Sequence, residues 1–306
     1  MSPNNSPGVS LSDLARPGAL PLRPLTTGEL LDAAIVLLRT RTARLIWLGV
    51  VLAGLEQAVL FPLRRLADQD ITTLPGDGRL VQYGVLVVVG FATEAFCIAI
   101  LGGVAATYAP RALLGTAAPQ RPPLRLPVLL VVAVVAGLVA AIGASPFLVL
   151  LPPLQSLGIA TAIFLTILLW PIPYGLVGLA APVVVIDRYG PGRALLRSVR
   201  LASRDGLRVV WIRVLGYTAW LFVRYGLTAA TLAVISIGFT SPSSTVDNLL
   251  MAAVAVAVNA LAYPVLGCLD VVLHLETRMR TEGLDILLRG ALRRGVTAEA
   301  ALAVPR

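Results

Sequence analysis

The chain has 306 residues, of which 57% are hydrophobic and 13% are charged. Soluble proteins of this length are about one quarter charged, so the composition excludes an ordinary water-soluble enzyme and indicates an integral membrane protein. The net charge of +9 is carried by arginine alone, since the sequence contains no lysine. In so apolar a chain this charge indicates contact with anionic lipid and not with nucleic acid.

The N-terminal region begins with residues 1–22, which are rich in proline, serine and asparagine and have no apolar period. We expect a disordered tail there. Thr26 and Glu29 then have the spacing of a capping box, in which each side chain hydrogen-bonds the backbone of the other. Apolar residues recur at helical intervals as far as Leu38, which predicts a short amphipathic helix in the membrane interface before the first span.

Six segments supply the roughly 20 apolar residues that a spanning helix needs. Prolines interrupt the boundary between the third and fourth segments, and Pro171 and Pro173 break the fourth near its centre. Such a break either exposes backbone at a binding site or is an ordinary kink. The sequence predicts an all-α polytopic bundle of about six spans, with one membrane domain over residues 23–294 and a tail over 295–306. The predicted spans are 45–63, 80–108, 127–151, 157–186, 209–238 and 249–275.

The orientation of these spans follows from the arginines. Twenty of them lie in the N-terminal segment, the 109–126 and 187–208 loops and the C-terminal tail, against three in the alternate loops. Arg213 and Arg224 lie inside spans. The positive-inside rule therefore predicts a multi-pass protein of the plasma membrane with both termini in the cytoplasm.

The 187–208 loop contains a basic stripe at helical spacing, formed by Arg193, Arg197, Arg200 and Arg204. Leucines and other apolar residues occupy the other side, as in a helix that lies on the membrane surface. Two interpretations remain open: a surface for anionic lipid head groups or a protein partner, and a charge cluster that only fixes topology. The mixed charges after the last span predict a further interfacial helix, which ends at about Arg294.

Ionisable residues within spans are candidate functional groups, because burying a charge in a bilayer is costly. Glu56, Glu94 and Arg224 are predicted to share a depth near the middle of the membrane, so Arg224 could pair with either carboxylate. The other carboxylate would be left over and could carry a proton. Arg213 and Asp270 share a depth nearer the cytoplasm and could also pair. These five residues predict either a polar, proton-linked cavity or charge pairs that fix helix register.

Motifs for enzymatic chemistry are missing from the sequence. It contains no phosphate-binding glycine loop, no nucleophile elbow and no paired aspartates. Cys97 and Cys268 both lie in apolar runs, which excludes a disulfide framework and a cysteine-rich metal site. His274 is the single histidine, for which we expect a surface or interfacial role. We therefore predict neither a metal nor a cofactor.

Three segments carry a family resemblance: Arg23–Asp32, Ala181–Arg188 leading into Ala194–Ser198, and Arg278–Asp285. In that order and spacing they resemble a largely uncharacterised family of multi-span membrane proteins of high-GC Gram-positive bacteria. The family is described as similar to the membrane domain of glycerophosphoryl diester phosphodiesterase. The resemblance covers about residues 22–290. It implies a membrane domain without the catalytic domain, whose metal site needs paired histidines and several carboxylates.

Two functions therefore remain in view. The first is a non-enzymatic membrane protein that organises lipids or protein partners, or a second copy of itself, at the inner face of the plasma membrane. The alternative is a small transporter or permease with a midplane polar site at Glu56, Glu94 and Arg224.

Overall fold

The structure is a computed structural model that describes Leu20 and residues 23–69, 76–114, 122–238 and 244–293. These residues form helices and no strands. In chain order the helices are α1 (Thr27–Arg39), α2 (Thr42–Gln69), α3 (Gly76–Ala106), α4 (Ala109–Leu114), α5 (Leu126–Ala144), α6 (Pro146–Leu169), α7 (Pro171–Val177), α8 (Ala180–Ile186), α9 (Pro191–Arg204), α10 (Arg208–Gly238), α11 (Ser244–Glu282) and α12 (Leu284–Arg293).

Five helical segments of the described chain are long and apolar enough to cross a membrane. A sixth, Arg208–Thr231 of α10, qualifies only together with α9, from which it is bent by 99°. Arg213 and Arg224 lie within this sixth segment and lower its hydropathy. The predicted all-α polytopic bundle of about six spans is confirmed. The five segments are Thr42–Leu66, Val81–Ala106, Leu126–Ala144, Ile163–Ile186 and Asn248–Glu282.

Two helical regions differ in extent from the spans that the sequence predicts. The third predicted span, 127–151, is divided at Ser145, whose hydroxyl donates to the Ile142 carbonyl at 2.7 Å where α5 ends. Pro146 then opens α6, a position that suits a residue without an N–H. The helix that contains the last predicted span, 249–275, is longer than that span, because α11 continues to Glu282. The charged residues of its final two turns form ion pairs with other parts of the bundle or with each other. The helix can therefore continue through this polar stretch.

The break near Pro171 is confirmed. α6 ends at Leu169, α7 begins at Pro171, and a second interruption at Gly178 separates α7 from α8. The fourth predicted span, 157–186, is therefore not one continuous helix. Its broken part turns Trp170 and Tyr174 into the core.

α3 lies at the centre of the bundle and packs against α2, α5, α6, α8 and α11. It approaches α11 closely at Gly102 and Gly267, where a Cβ on Gly267 would meet the Gly102 nitrogen at 2.7 Å. Small residues allow helices to approach this closely in a membrane protein. This contact holds the last turns of α3 close to the middle of α11.

The capping box of α1 is confirmed. The Thr26 N–H donates to Glu29 at 2.8 Å, and the Glu29 N–H donates to the Thr26 hydroxyl at 3.4 Å. These bonds, together with Arg23, lower the pKa of the Glu29 carboxyl to about 2. The apolar face of α1 is buried and packs against α11.

We call the part of the bundle formed by α1, α9, α12 and the C-terminal turns of α11 the basic end.

Candidate functional site

Polar side chains directed into the bundle lie along one face of α10 and one face of α11. In α10, Arg213, Tyr217 and Arg224 recur at intervals of four and seven residues, which places them on one side of the helix. A longer stripe on α11 extends from the middle of the helix to the basic end. It consists of Asn259, Tyr263, Asp270, His274 and Arg278.

Glu94, near the middle of α3, is fully engaged by hydrogen-bond donors. Arg224 Nη1 forms an ion pair with Glu94 Oε1. Tyr217 donates its hydroxyl to Glu94 Oε2 at 2.5 Å. Both oxygens of this carboxylate therefore meet donors, one of which is positively charged.

Glu56 on α2 lies beside this pair and is also buried, yet its bonding pattern differs. Glu56 Oε2 accepts hydrogen bonds from the Tyr263 hydroxyl at 2.6 Å and from Asn259 Nδ2 at 3.2 Å. Glu56 Oε1 lies 3.4 Å from the hydroxyl oxygen of Thr93. Arg224 pairs with Glu94 and leaves Glu56 without an arginine among the described residues. We call Glu56, Glu94, Arg224, Tyr217 and Tyr263 the inner cluster.

Arg213 and Asp270 form a second, separate pair that is completely buried. Arg213 Nε and Nη2 reach the two Asp270 oxygens at 2.6 and 3.1 Å, a bidentate arrangement. Arg213 also donates to the Tyr174 carbonyl, and its guanidinium lies 3.7 Å from the centre of the Tyr174 ring. A Cβ on Gly178 would collide with the Arg213 guanidinium. The second break in the fourth span therefore leaves room for a buried arginine.

Aromatic rings join the inner cluster to the Arg213–Asp270 pair. Trp170 stacks on Tyr174 with ring centres 4.3 Å apart and contacts Tyr217 at 4.6 Å.

Several buried polar atoms in this region have no hydrogen-bond partner in the described part of the chain. They are Gln57 Oε1, Trp170 Nε1, Tyr174 OH, Arg224 Nε and Asn259 Oδ1.

At the basic end, two arginines and two carboxylates form a closed ring. Arg197 bonds Asp187 at 2.5 Å and Glu282 at 2.9 Å. Arg278 bonds the same two acids, at 2.9 Å and 3.0 Å respectively. We call these four residues the Asp187 ring. The ring connects α9 and the end of α8 to the last turns of α11.

The electrostatics of the ring favour the ionised Asp187. Burial by itself would raise the pKa of the Asp187 carboxyl, but His274, Arg278 and Arg197 outweigh burial and lower this pKa to about 2. His274 Nε2 lies 3.4 Å from Asp187 Oδ1. The expected surface or interfacial role of His274 is therefore wrong, since its side chain is fully buried. The reason is that α11 packs against α8 and α9 here, and His274 faces Asp187 between them.

A second set of ion pairs fixes the N-terminal segment to the bundle. Glu276 bonds Arg208 at 2.9 Å and also pairs with Arg280. Both arginines donate a further hydrogen bond to the Leu25 carbonyl, at 2.9 and 3.0 Å. The three segments that carry the family resemblance therefore meet at the basic end.

The apolar face of α9 packs against the protein, and not against acyl chains as the sequence predicts. Its buried face is formed by Ala194, Ser198, Leu201 and Ala202, and the Ser198 hydroxyl donates to the Leu176 carbonyl at 2.5 Å. Arg197 belongs to the Asp187 ring, which excludes it from the predicted set of four lipid-facing arginines. α9 is thus held against the protein by an apolar face and an ion pair.

The other three arginines of α9, Arg193, Arg200 and Arg204, are exposed. No carboxylate of the described chain forms an ion pair with them. Together with Tyr189, Leu196 and Arg197 they line a groove of about 520 Å³ whose floor is Leu201. Leu196 is 58% exposed and stands among the guanidinium groups. We call this surface the α9 groove.

The structure thus places the predicted site residues in three locations. Glu56, Glu94 and Arg224 lie together, and Arg213 and Asp270 form their own pair. All four arginines of α9 line the groove, and Arg197 also belongs to the Asp187 ring. Sequence reasoning missed Tyr217, Tyr263 and the Asp187 ring. The available signal was the four-residue spacing of polar residues on α10 and α11, which continues through the aromatic residues.

Comparison of the chain with protein-family models, with curated proteins and with solved structures gives no match. The functional argument therefore depends on the geometry of these sites.

Proposed function

We propose that this protein is a non-enzymatic, multi-pass protein of the plasma membrane that binds anionic phospholipid head groups through the α9 groove. In this proposal both termini and the basic end face the cytoplasm, as the one-sided distribution of arginines predicts. The family resemblance to the membrane domain of glycerophosphoryl diester phosphodiesterase remains a prediction that is compatible with this role.

The observation that carries the proposal is the contrast between Arg197 and its three neighbours on α9. Arg197 is neutralised by Asp187 and Glu282, whereas no acid of the described chain pairs with Arg193, Arg200 or Arg204. Exposed, unneutralised guanidinium groups bind phosphate well, because their planar donors match its oxygens.

The position of α9 favours a lipid over a soluble anion. α9 follows directly on the fourth span and is bent by 99° from α10, so it runs along the membrane surface if α10 crosses the bilayer. Leu196 is exposed between the arginines, where an acyl chain can cover it while head groups meet the guanidinium groups. A soluble anion would leave this leucine in water.

Lipid retention by the purified full chain tests the proposal. Native mass spectrometry would count phosphatidylglycerol bound from nanodiscs of mixed phosphatidylglycerol and phosphatidylcholine. The test variant is Arg193→Gln with Arg200→Gln. The matched control is Arg39→Gln with Arg41→Gln, which removes the same charge from exposed arginines next to the first span.

Each arginine near the surface contributes about 1 kcal/mol to anionic lipid binding, so the α9 variant should bind phosphatidylglycerol roughly 30-fold more weakly. The control should lose much less. Equal losses in the two variants would mean that only net charge matters and would refute a site at α9. Unchanged lipid retention together with loss of a protein partner in the α9 variant would also refute it.

A second candidate, a small transporter or permease, is favoured by the unpartnered buried polar atoms around the inner cluster. A small polar solute could satisfy Asn259 Oδ1, Arg224 Nε and Gln57 Oε1. A small molecule that co-purifies in mild detergent and is lost from an Arg224→Gln variant would favour transport. A phospholipid that is lost from the α9 variant would favour the first proposal.

A further inference from the structure

The inner cluster contains two carboxyl groups and one arginine within a membrane-spanning bundle. Glu94 is paired with Arg224 and hydrogen-bonded by Tyr217. Glu56 is 3% exposed and has no arginine of its own among the described residues. If both acids were ionised, the cluster would hold one uncompensated negative charge in a medium that disfavours charge strongly.

The hydrogen bonds of Glu56 show how that charge is avoided. Its Oε2 meets two donors, the Tyr263 hydroxyl and the Asn259 amide. Its Oε1 lies 3.4 Å from the Thr93 hydroxyl oxygen, whereas the Val89 and Gly90 carbonyls lie closer to that hydroxyl, at 2.9 and 3.1 Å. We assign the single Thr93 hydrogen to these nearer acceptors. The lone pairs of Thr93 Oγ1 are therefore available to accept a hydrogen bond from Glu56.

This pattern is that of a neutral carboxylic acid, with one oxygen that accepts and one that donates. An ionised carboxylate accepts at both oxygens, which is what Glu94 does. We infer that Glu56 is a proton-binding site within the membrane, with the proton on Oε1 and Thr93 as its acceptor, while Glu94 remains ionised beside Arg224.

Titratable and charged groups on each packed helix face this site. α3 contributes Glu94 and Cys97, α10 contributes Arg224 and Tyr217, and α11 contributes Tyr263. Of these, only Glu94 and Arg224 carry charge in the arrangement above. Because the charges of Glu94 and Arg224 already cancel, ionisation of Glu56 would add a net negative charge to the site. The protonated form of Glu56 avoids this charge.

Infrared spectroscopy of the purified full chain tests the assignment. A protonated carboxyl has a C=O stretching band above the amide region, and this band moves to lower frequency when the proton exchanges for deuterium. We expect the band in the wild type at neutral pH and its shift in deuterated buffer. We expect its complete loss in Glu56→Gln and no change in Glu29→Gln, a control that removes an exposed carboxylate.

The variant Glu94→Gln distinguishes the charge-balance argument from simple burial. With Glu94 neutral, Arg224 has Glu56 as the nearest carboxyl, so Glu56 should ionise and the band should disappear although Glu56 is intact. Absence of the band in the wild type, its persistence in Glu56→Gln, or its persistence in a folded Glu94→Gln variant would each overturn the inference. Circular dichroism and gel filtration establish that each variant is folded.

Discussion

The inner cluster and the basic end use the same residue types with opposite charge balance. The inner cluster contains two glutamates and one arginine, which pairs with Glu94 and not with Glu56. At the basic end the Asp187 ring is balanced, and Arg193, Arg200 and Arg204 remain exposed beyond it. Acid is in excess at the centre of the bundle and arginine is in excess at its end.

The difference shows that the surroundings determine how an excess charge is neutralised. In the bundle centre a counterion would have to leave water for an apolar interior, which is costly, so excess acid is best accommodated by taking up a proton. At the basic end excess arginine can meet lipid phosphate. The Arg213–Asp270 pair has an excess of neither acid nor arginine, since its single arginine and single carboxylate meet in a bidentate contact.

The largest effect is expected from breaking the Arg213–Asp270 pair. Asp270→Asn leaves a fully buried guanidinium without its counterion, which should destabilise the protein by about 3–5 kcal/mol. Unfolding in detergent followed by circular dichroism measures this. The double variant Arg213→Leu with Asp270→Leu should recover part of the loss. Additive losses from the two positions would show that the pair is not an energetic unit.

The two glutamates of the inner cluster should respond very differently to the same substitution. Glu94→Gln removes a charge-assisted contact to Arg224 and should cost about 2 kcal/mol. Glu56→Gln resembles the protonated acid, because its amide can donate to Thr93 and accept from Tyr263, and it should cost less than about 1 kcal/mol. Thermal unfolding of the two variants side by side measures the difference, and equal losses would contradict the assigned protonation states.

The Asp187 ring predicts an acid-dependent loss of stability. The pKa of Asp187 is about 2 in the folded protein, below its ordinary value of 3.8. The stabilisation is therefore complete above about pH 4 and is lost as the pH falls towards 2, with a total of about 2 kcal/mol. Unfolding measured from pH 5 to pH 2 should show a shallower slope in Asp187→Asn than in the wild type. Parallel profiles would exclude Asp187 as the source.

The smallest effect on stability is expected in the α9 groove. Arg200→Gln should change the free energy of unfolding by less than about 0.5 kcal/mol, as is usual for exposed charges. Arg197→Gln, one turn earlier on the same helix, breaks the Asp187 ring and should cost about 1–3 kcal/mol. Chemical unfolding of the two variants compares them directly. A similar loss in both would mean that the groove arginines stabilise the fold instead of binding lipid.

Local patterns were sufficient to predict several features. The spacing of Thr26 and Glu29 predicted the α1 cap, and Pro171 predicted the break in the fourth span. The end of α11 could not be predicted in this way, because Glu276, Arg278 and Glu282 look like residues outside a membrane. Their partners lie 68 to 91 residues earlier in the chain, or one turn away on α11 itself. His274 was misplaced for the same reason.

The sequence by itself determined that this is an all-α polytopic protein with its arginines sorted to alternate loops. Hydropathy and charge act residue by residue against the bilayer, so they can be read along the chain. Only the tertiary structure decided which acid Arg224 joins and that Arg197 turns inward. A choice of partner depends on distances between side chains that packing brings together, and no single segment contains both partners of such a pair.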